Sequence, residues 1–148
     1  MHINASAIEK VILFGDSLMA GYGLPKEQHL SLVLESNLVR SGLNIKVING
    51  SVSGSTSSGG LNRAEWSLSE PGIDLIILGL GANDMLRGIQ PDETERNLEE
   101  IIKSIPGSDK LHSTLFNPPD DVLPETLPLI TLMFKPACLR LFSKTIDK

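Results

Sequence analysis

The stretch Val11-Ile-Leu-Phe-Gly-Asp-Ser-Leu18 contains the clearest structural signal in the chain. Its first half, Val11–Phe14, is short, wholly apolar and rich in β-branched residues, which is typical of a strand buried on both faces of a parallel sheet. Gly15 ends this apolar run, and the polar residues Asp16 and Ser17 follow immediately. The pattern therefore predicts a central strand whose carboxyl end leads directly into a polar turn.

Further strand and helix patterns follow along the chain. The apolar runs Ile45–Ile48 and Ile73–Leu80 are predicted as the second and third strands. Helical spacing of apolar residues predicts helices between and after them, at about 25–42, 59–69 and 91–105. Because strand and helix alternate three times, the sequence predicts an α/β protein in which helices cover both faces of a parallel sheet.

The composition changes part-way along the chain. Residues 1–105 hold 12 of the 13 glycines, whereas the last 43 residues hold six of the nine prolines, which helices and central strands tolerate poorly. We interpret 1–148 as a single domain with a well-patterned α/β part, 1–105, and an atypical segment, 106–148. Within that segment, Leu127–Phe134 is predicted as a fourth parallel strand and Pro106–Glu125 as an irregular loop.

Charge and residue content exclude several classes of protein. The chain has 13 basic and 18 acidic residues, so we expect no broad basic surface for nucleic acid. A single cysteine, Cys138, excludes an internal disulfide and a multi-cysteine metal site, and we predict no metal and no cofactor. No apolar run approaches the roughly 18 residues of a membrane span. No secretory signal is recognised, so the compartment is either the cytoplasm or, after removal of a signal, the periplasm.

Polar, glycine-containing loops follow all three predicted strands: Gly15–Leu18, Asn49–Gly54 and Gly81–Asp84. The carboxyl ends of parallel strands meet along one edge of a sheet, where ligands bind, so we expect these loops to converge. Acyl transfer requires a nucleophile and two or three donors aimed at the developing oxyanion. Ser17, the N–H of Gly54 and the side-chain amide of Asn83 are the candidates. The alternative is a set of ordinary glycine-rich turns without a catalytic role.

The same loops resemble the signature blocks of the GDSL, or SGNH, hydrolases. Phe14–Gly23 is similar to the first block, Ile48–Leu61 to the second and Leu78–Gly88 to the third. Together they resemble the bacterial thioesterase, lysophospholipase and arylesterase branch, over about residues 10–105. The resemblance implies a flavodoxin-like three-layer fold and hydrolysis of small acyl esters or thioesters. It further implies Ser17 as the nucleophile, with an oxyanion hole from the N–H groups of Ser17 and Gly54 and the side chain of Asn83.

A catalytic base is harder to place than the nucleophile. Members of the family carry an Asp-x-x-His motif near the C-terminus, and Asp109-Lys-Leu-His112 matches its spacing. However, the helix predicted over 91–105 starts at the loop edge and, at about 1.5 Å per residue, ends about 20 Å from it. We therefore expect His112 at the opposite edge of the sheet and leave Asp109 and His112 out of the predicted site. His2 near the terminus and His29 on a solvated helix face are not better candidates.

Other notable side chains are interpreted without a catalytic role. Asp16 and Asp84 suit loop capping at least as well as catalysis, and Arg87 is expected to be solvated or ion-paired. Trp66 is expected to pack partially against the domain.

The sequence is compatible with three arrangements of the last 43 residues. The segment is a truncated or frame-shifted end that leaves the domain without its base, or a rearranged end in which Asp109 and His112 reach the site. In the third, a second chain supplies the missing strands or a histidine. The shift in glycine and proline use favours the first, and uncovered apolar surface would favour self-association. A catalytically silent binding domain is therefore the alternative to an enzyme.

Overall fold

The computed structural model describes residues 8–106 and the strands at residues 112–116 and 130–134. The strands are β1 (Lys10–Gly15), β2 (Lys46–Asn49), β3 (Leu75–Gly79), β4 (His112–Phe116) and β5 (Ile130–Phe134). The helices are α1 (Ser17–Ala20), α2 (Leu30–Arg40), α3 (Ser57–Leu68), α4 (Ala82–Leu86) and α5 (Pro91–Lys103), with a 3₁₀ turn at Lys26–Gln28. Within these ranges no helix is long and apolar enough to cross a membrane.

The strands form one mixed sheet in the order β2-β1-β3-β5-β4. β1 pairs in parallel with both β2 and β3, and Val11 lies opposite Val47 on one side and Leu75 on the other. The carboxyl ends of β1 and β3 are aligned, because Gly15 pairs with Gly79. The predicted α/β class and the three parallel strands are confirmed.

The outer two strands correct two predictions. β5 pairs with β3, so the expected strand at Leu127–Phe134 exists over residues 130–134, but it is antiparallel rather than parallel. Residues 112–116 form β4, which contradicts an irregular loop over that part of Pro106–Glu125. Thirteen residues, 117–129, separate β4 from β5. An antiparallel pair needs no helical crossover, whereas a parallel pair needs a longer connection that is usually an α-helix.

Apolar residues alternate between the two faces of β1 and create two cores. One core contains Ile12 and Phe14 and packs against α3 and α5; its other buried members are Ala64, Leu68, Ile73, Ile76, Leu78, Leu80, Ile101 and Ile105. The second core contains Val11 and Leu13 and lies on the face covered by α1 and α2; its other buried members are Met19, Ile45, Val47 and Leu75. This burial on both faces explains why the strand runs are continuously hydrophobic. The predicted three-layer arrangement is confirmed.

The short helix α1 sits directly on the ends of β1 and β3. Its buried residue Met19 fills a slot above the paired glycines Gly15 and Gly79, where a side-chain carbon at either glycine would collide with the thioether. The absence of a Cβ at both positions therefore allows α1 to approach the sheet closely. Trp66, by contrast, is 85% exposed, so the prediction that it packs partially is wrong.

Candidate active site

The turn between β1 and α1 presents Ser17 at the carboxyl edge of the sheet. Asp16 is the N-cap of α1, and its Oδ1 accepts a hydrogen bond from the N–H of Leu18 at 3.0 Å. Ser17 is therefore the first residue of the helix, and it is half-buried. Asp16 itself is only 3% exposed and has the capping role that the sequence suggested.

The loop that follows β2 is bonded to the end of β1. The N–H of Gly50 donates to the carbonyl of Leu13 at 2.8 Å, and the N–H of Val52 donates to the carbonyl of Gly15 at 3.0 Å. Further along the loop, Gly54 has a φ of 77°, a conformation that favours glycine. These contacts fix the Gly54 loop beside the turn that presents Ser17.

Asn83, on the short helix α4 that follows β3, links the turn of Ser17 to the Gly54 loop. Its Nδ2 donates to the carbonyl of Ser55 at 3.0 Å and lies 3.4 Å from Oδ2 of Asp16. Since Ser55 adjoins Gly54 and Asp16 adjoins Ser17, the three predicted site residues are brought to one place. These contacts place the three segments next to one another, as the topology predicts.

The three candidate oxyanion donors differ in whether they already donate a hydrogen bond within the protein. Across residues 8–106, no hydrogen bond links the N–H of Ser17 or of Gly54 to a protein acceptor. Both hydrogens of the Asn83 amide have an acceptor, but the 3.4 Å contact with Asp16 is long and weak. An oxyanion can therefore be met by two backbone donors, and by Asn83 if it exchanges the contact with Asp16.

No histidine bonded to Ser17 is found in the continuous stretch 8–106. His29 is half-buried, and its Nε2 lies 3.2 Å from the carbonyl of Leu24 instead. His112 begins β4 opposite Phe134, which in turn lies opposite Leu75 at the start of β3. At about 3.3 Å per residue and about 4.8 Å per strand, the Cα of His112 lies about 16 Å from that of Gly79.

The sheet register thus agrees with the expectation that His112 lies at the far edge. Asp109, the other half of the Asp-x-x-His match, lies outside the described residues.

A buried polar network surrounds Asp84, the residue that follows Asn83 on α4. Asp84 is 1% exposed and accepts hydrogen bonds from the N–H of Ser57 at 2.8 Å, the hydroxyl of Ser57 at 2.5 Å and the hydroxyl of Thr94 at 3.2 Å. Asn97 donates to the hydroxyl of Ser57 at 2.9 Å. The network connects α4 to α3 and α5, and so holds Asn83 in place. The sequence favours capping at least as much as catalysis for Asp84, and it does not identify Ser57, Thr94 or Asn97.

Arg63, on α3, is a second feature that the sequence did not reveal. Its Nη1 donates to the carbonyl of Gly50 at 2.7 Å, and its Nη2 donates to the carbonyl of Gly15 at 3.0 Å. Burial of the guanidinium lowers its pKa. A single basic residue on a helix gives no sequence signal of this kind, because both acceptors are backbone carbonyls far away in the chain.

A serine at the start of a helix on the carboxyl edge of a parallel sheet, with backbone donors beside it, defines an α/β protein with a candidate acyl-transfer site. The profile of the "GDSL-like Lipase/Acylhydrolase family" matches residues 13–131. The chain belongs to this family, as its signature blocks indicated.

Curated relatives match about two thirds of the chain. An "Arylesterase" of Vibrio mimicus is 41% identical over 104 residues, which are 70% of this chain and 52% of the relative. A "Thioesterase 1/protease 1/lysophospholipase L1" of Escherichia coli is 34% identical over 101 residues, 68% of this chain and 47% of the relative. The chain thus spans about half the length of the curated relatives it matches.

Solved structures show the same fold. The SGNH-hydrolase family esterase AlinE4 is 43% identical with a TM-score of 0.62, covering 65% of this chain and 52% of the esterase. A psychrotrophic esterase from Pseudoalteromonas, solved in a form inhibited by monoethylphosphonate, is 34% identical with a TM-score of 0.60; 64% of this chain and 52% of the esterase are covered.

Proposed function

We propose that this chain hydrolyses small acyl esters or thioesters through an acyl-enzyme intermediate on Ser17. The observation that supports the proposal most directly is the bridging position of Asn83, which contacts the residues next to Ser17 and next to Gly54. A nucleophile and three oxyanion donors within one small region are the requirements of acyl transfer.

The reaction proceeds in two halves. In the first, Oγ of Ser17 bonds to the carbonyl carbon, and the oxyanion accepts hydrogen bonds from the N–H groups of Ser17 and Gly54 and from the Asn83 amide. The tetrahedral intermediate then expels an alcohol or thiol, which leaves with the proton that Ser17 gave up. In the second half, water attacks the acyl-serine ester, releasing the carboxylic acid and restoring the hydroxyl of Ser17.

Exposed apolar side chains around the site support an apolar acyl or aryl group on the substrate. Leu18 on α1, Val52 in the loop after β2, and Met85 and Leu86 on α4 are all at least half exposed. They belong to the same three segments as the candidate site residues: α1 with Ser17, the loop after β2 with Gly54, and α4 with Asn83. The names of the relatives, arylesterase and thioesterase, agree with substrates of this kind.

The proton of Ser17 needs an acceptor, which in most serine hydrolases is a histidine. No histidine in residues 8–106 bonds to the hydroxyl, and the register places the backbone of His112 at the opposite edge. We therefore propose that the acceptor comes from outside the described residues or from a second copy of the chain. A second copy agrees with the self-association expected from the sequence.

A comparison of three proteins tests the role of Ser17. Wild type, Ser17→Ala and Ser53→Ala are assayed with a short-chain nitrophenyl ester and a short-chain thioester. Ser53 is an exposed serine of the Gly54 loop and serves as the matched control. We expect hydrolysis above buffer for wild type and Ser53→Ala, and none for Ser17→Ala. Equal rates for wild type and Ser17→Ala, both above buffer, would refute Ser17 as the nucleophile.

The lack of a histidine partner in residues 8–106 favours a second candidate function. A silent domain would use the same backbone donors to bind a carboxylate, such as acetate, without turnover. Labelling with a serine-directed phosphonate, followed by intact mass, separates the two functions. A rapid adduct at one site per chain supports the enzyme. Absence of an adduct, together with acetate-dependent shifts of the Gly54 amide resonance, supports the binding domain.

A further inference from the structure

The guanidinium of Arg63 connects the two backbone segments that flank the candidate site. Gly15 lies two residues before Ser17, and Gly50 begins the loop that leads to Gly54. Arg63 donates one hydrogen bond to the carbonyl of each glycine, with N–O distances of 3.0 and 2.7 Å. One planar side chain therefore links the turn of the nucleophile to the loop of the oxyanion donor, in addition to the backbone hydrogen bonds between them.

The surroundings of Arg63 hold the side chain in this orientation. Its Cζ lies 3.9 Å from the ring centroid of Phe14, which is fully buried, so the cation stacks on an aromatic face. The carbonyl of Gly15 also accepts a hydrogen bond from the N–H of Val52 at 3.0 Å. Arg63 thus completes a junction at which β1, the Gly54 loop and α3 meet.

The burial of Arg63 is unfavourable for the free energy of folding in two respects. The Nε of Arg63 is buried and has no hydrogen-bond partner in the described part of the chain. A buried donor without a partner is unfavourable, and burial of the charge is unfavourable as well. No salt bridge between Arg63 and a carboxylate is found within residues 8–106 to offset these terms. The planar guanidinium donates to two carbonyls at once, which neither an apolar side chain nor the single ammonium group of a lysine can do in this way.

We propose that Arg63 is a positioning residue, which fixes the distance between Ser17 and the Gly54 donor through the carbonyls of Gly15 and Gly50. The inference rests on the proposed hydrolysis at Ser17. Arg63 acts through the backbone and does not touch the substrate. Its loss therefore lowers the turnover rate and leaves substrate binding nearly unchanged, because small displacements of a nucleophile from its donors reduce the rate strongly.

Three variants test this role. Arg63→Ala removes both hydrogen bonds, Arg63→Lys keeps the charge but reaches at most one carbonyl, and Arg96→Ala removes an exposed arginine of α5 as the control. We expect kcat to fall about a hundredfold in Arg63→Ala, with KM near the wild-type value, and to fall less in Arg63→Lys. Arg96→Ala should retain wild-type kcat.

Added guanidinium ion distinguishes positioning from a general loss of stability. At millimolar concentration it can occupy the space left in Arg63→Ala and restore part of kcat, with no effect on Arg96→Ala. An Arg63→Ala variant whose kcat stays within twofold of wild type would overturn the proposal. So would a fall in kcat that guanidinium does not reverse and that follows the loss of thermal stability.

A measurement without substrate separates this inference from the proposed hydrolysis. Amide hydrogen exchange at Val52 reports the bond to Gly15, and exchange at Ile76 in β3 reports global unfolding. In Arg63→Ala, exchange at Val52 should rise at least tenfold relative to Ile76 and fall again with guanidinium. If wild type shows no hydrolysis, the proposed function fails while this result still decides the role of Arg63. Unchanged exchange at Val52 would overturn it.

Discussion

The parallel strands β2, β1 and β3 and the antiparallel pair β5 and β4 place polar residues very differently. Each parallel strand ends at the same edge, so the residues that follow them, such as Ser17 and Asn83, meet there. His112 begins a strand that is parallel to β3, and so it lies at the other edge. In strands that run in the same direction, a residue that follows a strand lies at the carboxyl edge of the sheet, and a residue that begins a strand lies at the amino edge. The spacing of Asp109 and His112 alone does not determine the edge.

A cysteine crosslink tests the direction of β5, and its outcome is all-or-none. Leu75 and Phe134 lie opposite each other across β3 and β5. Cysteines at these positions, in a Cys138→Ser background, should form a disulfide on mild oxidation, because directly opposite Cα atoms are within disulfide range. Cysteines at Leu75 and Ile130 should not form one, because Ile130 lies four residues from the antiparallel partner of Leu75, whereas a parallel β5 with the same centre would place the two opposite each other. Intact mass and thiol counting measure both pairs, and crosslinking of the second pair alone would contradict the antiparallel register.

Removal of an apolar side chain from the parallel part should have the largest effect on stability. Phe14 is fully buried at the centre of the core between the sheet and α3. We expect Phe14→Ala to lower the free energy of unfolding by about 3–5 kcal/mol, from lost burial and the cavity left behind. Urea denaturation followed by circular dichroism measures the change. Trp66→Ala, at an exposed position, is the control and should change stability by less than about 0.5 kcal/mol.

The polar network around Asp84 should contribute less than the apolar core. Ser57→Ala removes one donor from the buried carboxylate of Asp84 and the acceptor of Asn97, while the N–H of Ser57 still bonds to Asp84. We expect a loss of about 1–3 kcal/mol. Ser58→Ala changes the neighbouring, exposed serine of the same helix and should be nearly neutral. Equal stability of the two variants would show that the network does not support α4.

The smallest effect is expected at the other edge of the sheet. His112→Gln should leave the rate of phosphonate labelling at Ser17 within twofold of wild type, because the register places His112 far from the nucleophile. Intact mass over time measures the labelling rate. A tenfold or larger decrease, measured at a dilution where the chain is monomeric, would mean that His112 of the same chain reaches Ser17, and the contrast between the two edges would fail.

Residues 8–106 were largely predictable because their signals are local. An apolar run such as Val11–Phe14 identifies a buried strand, and the polar residues after it identify the edge where the site forms. The direction of β5 was not predictable, because an apolar run reads the same in either direction. β4 was missed because prolines on both sides of residues 112–116 outweighed the β-branched Thr114 and the aromatic Phe116.

The site residues also fall into two groups, those whose position could be predicted from the sequence and those whose position could not. Ser17, Gly54 and Asn83 lie two to five residues after the ends of the parallel strands, so their meeting place could be predicted from the topology. Arg63 and Ser57 could not be identified, since their partners are backbone carbonyls or side chains brought together only by the packing of α3 on the sheet.

The exposure of the aromatic side chains has a spectroscopic consequence. Trp66 is the only tryptophan and Tyr22 the only tyrosine of the chain, and they are 85% and 79% exposed. The indole is already in contact with water in the native state, so its emission spectrum should shift little when the protein unfolds. The native near-ultraviolet circular dichroism should be weak for the same reason. Tryptophan emission that changes little across a denaturant titration is therefore expected for this protein. It would not indicate that the native state lacks tertiary structure.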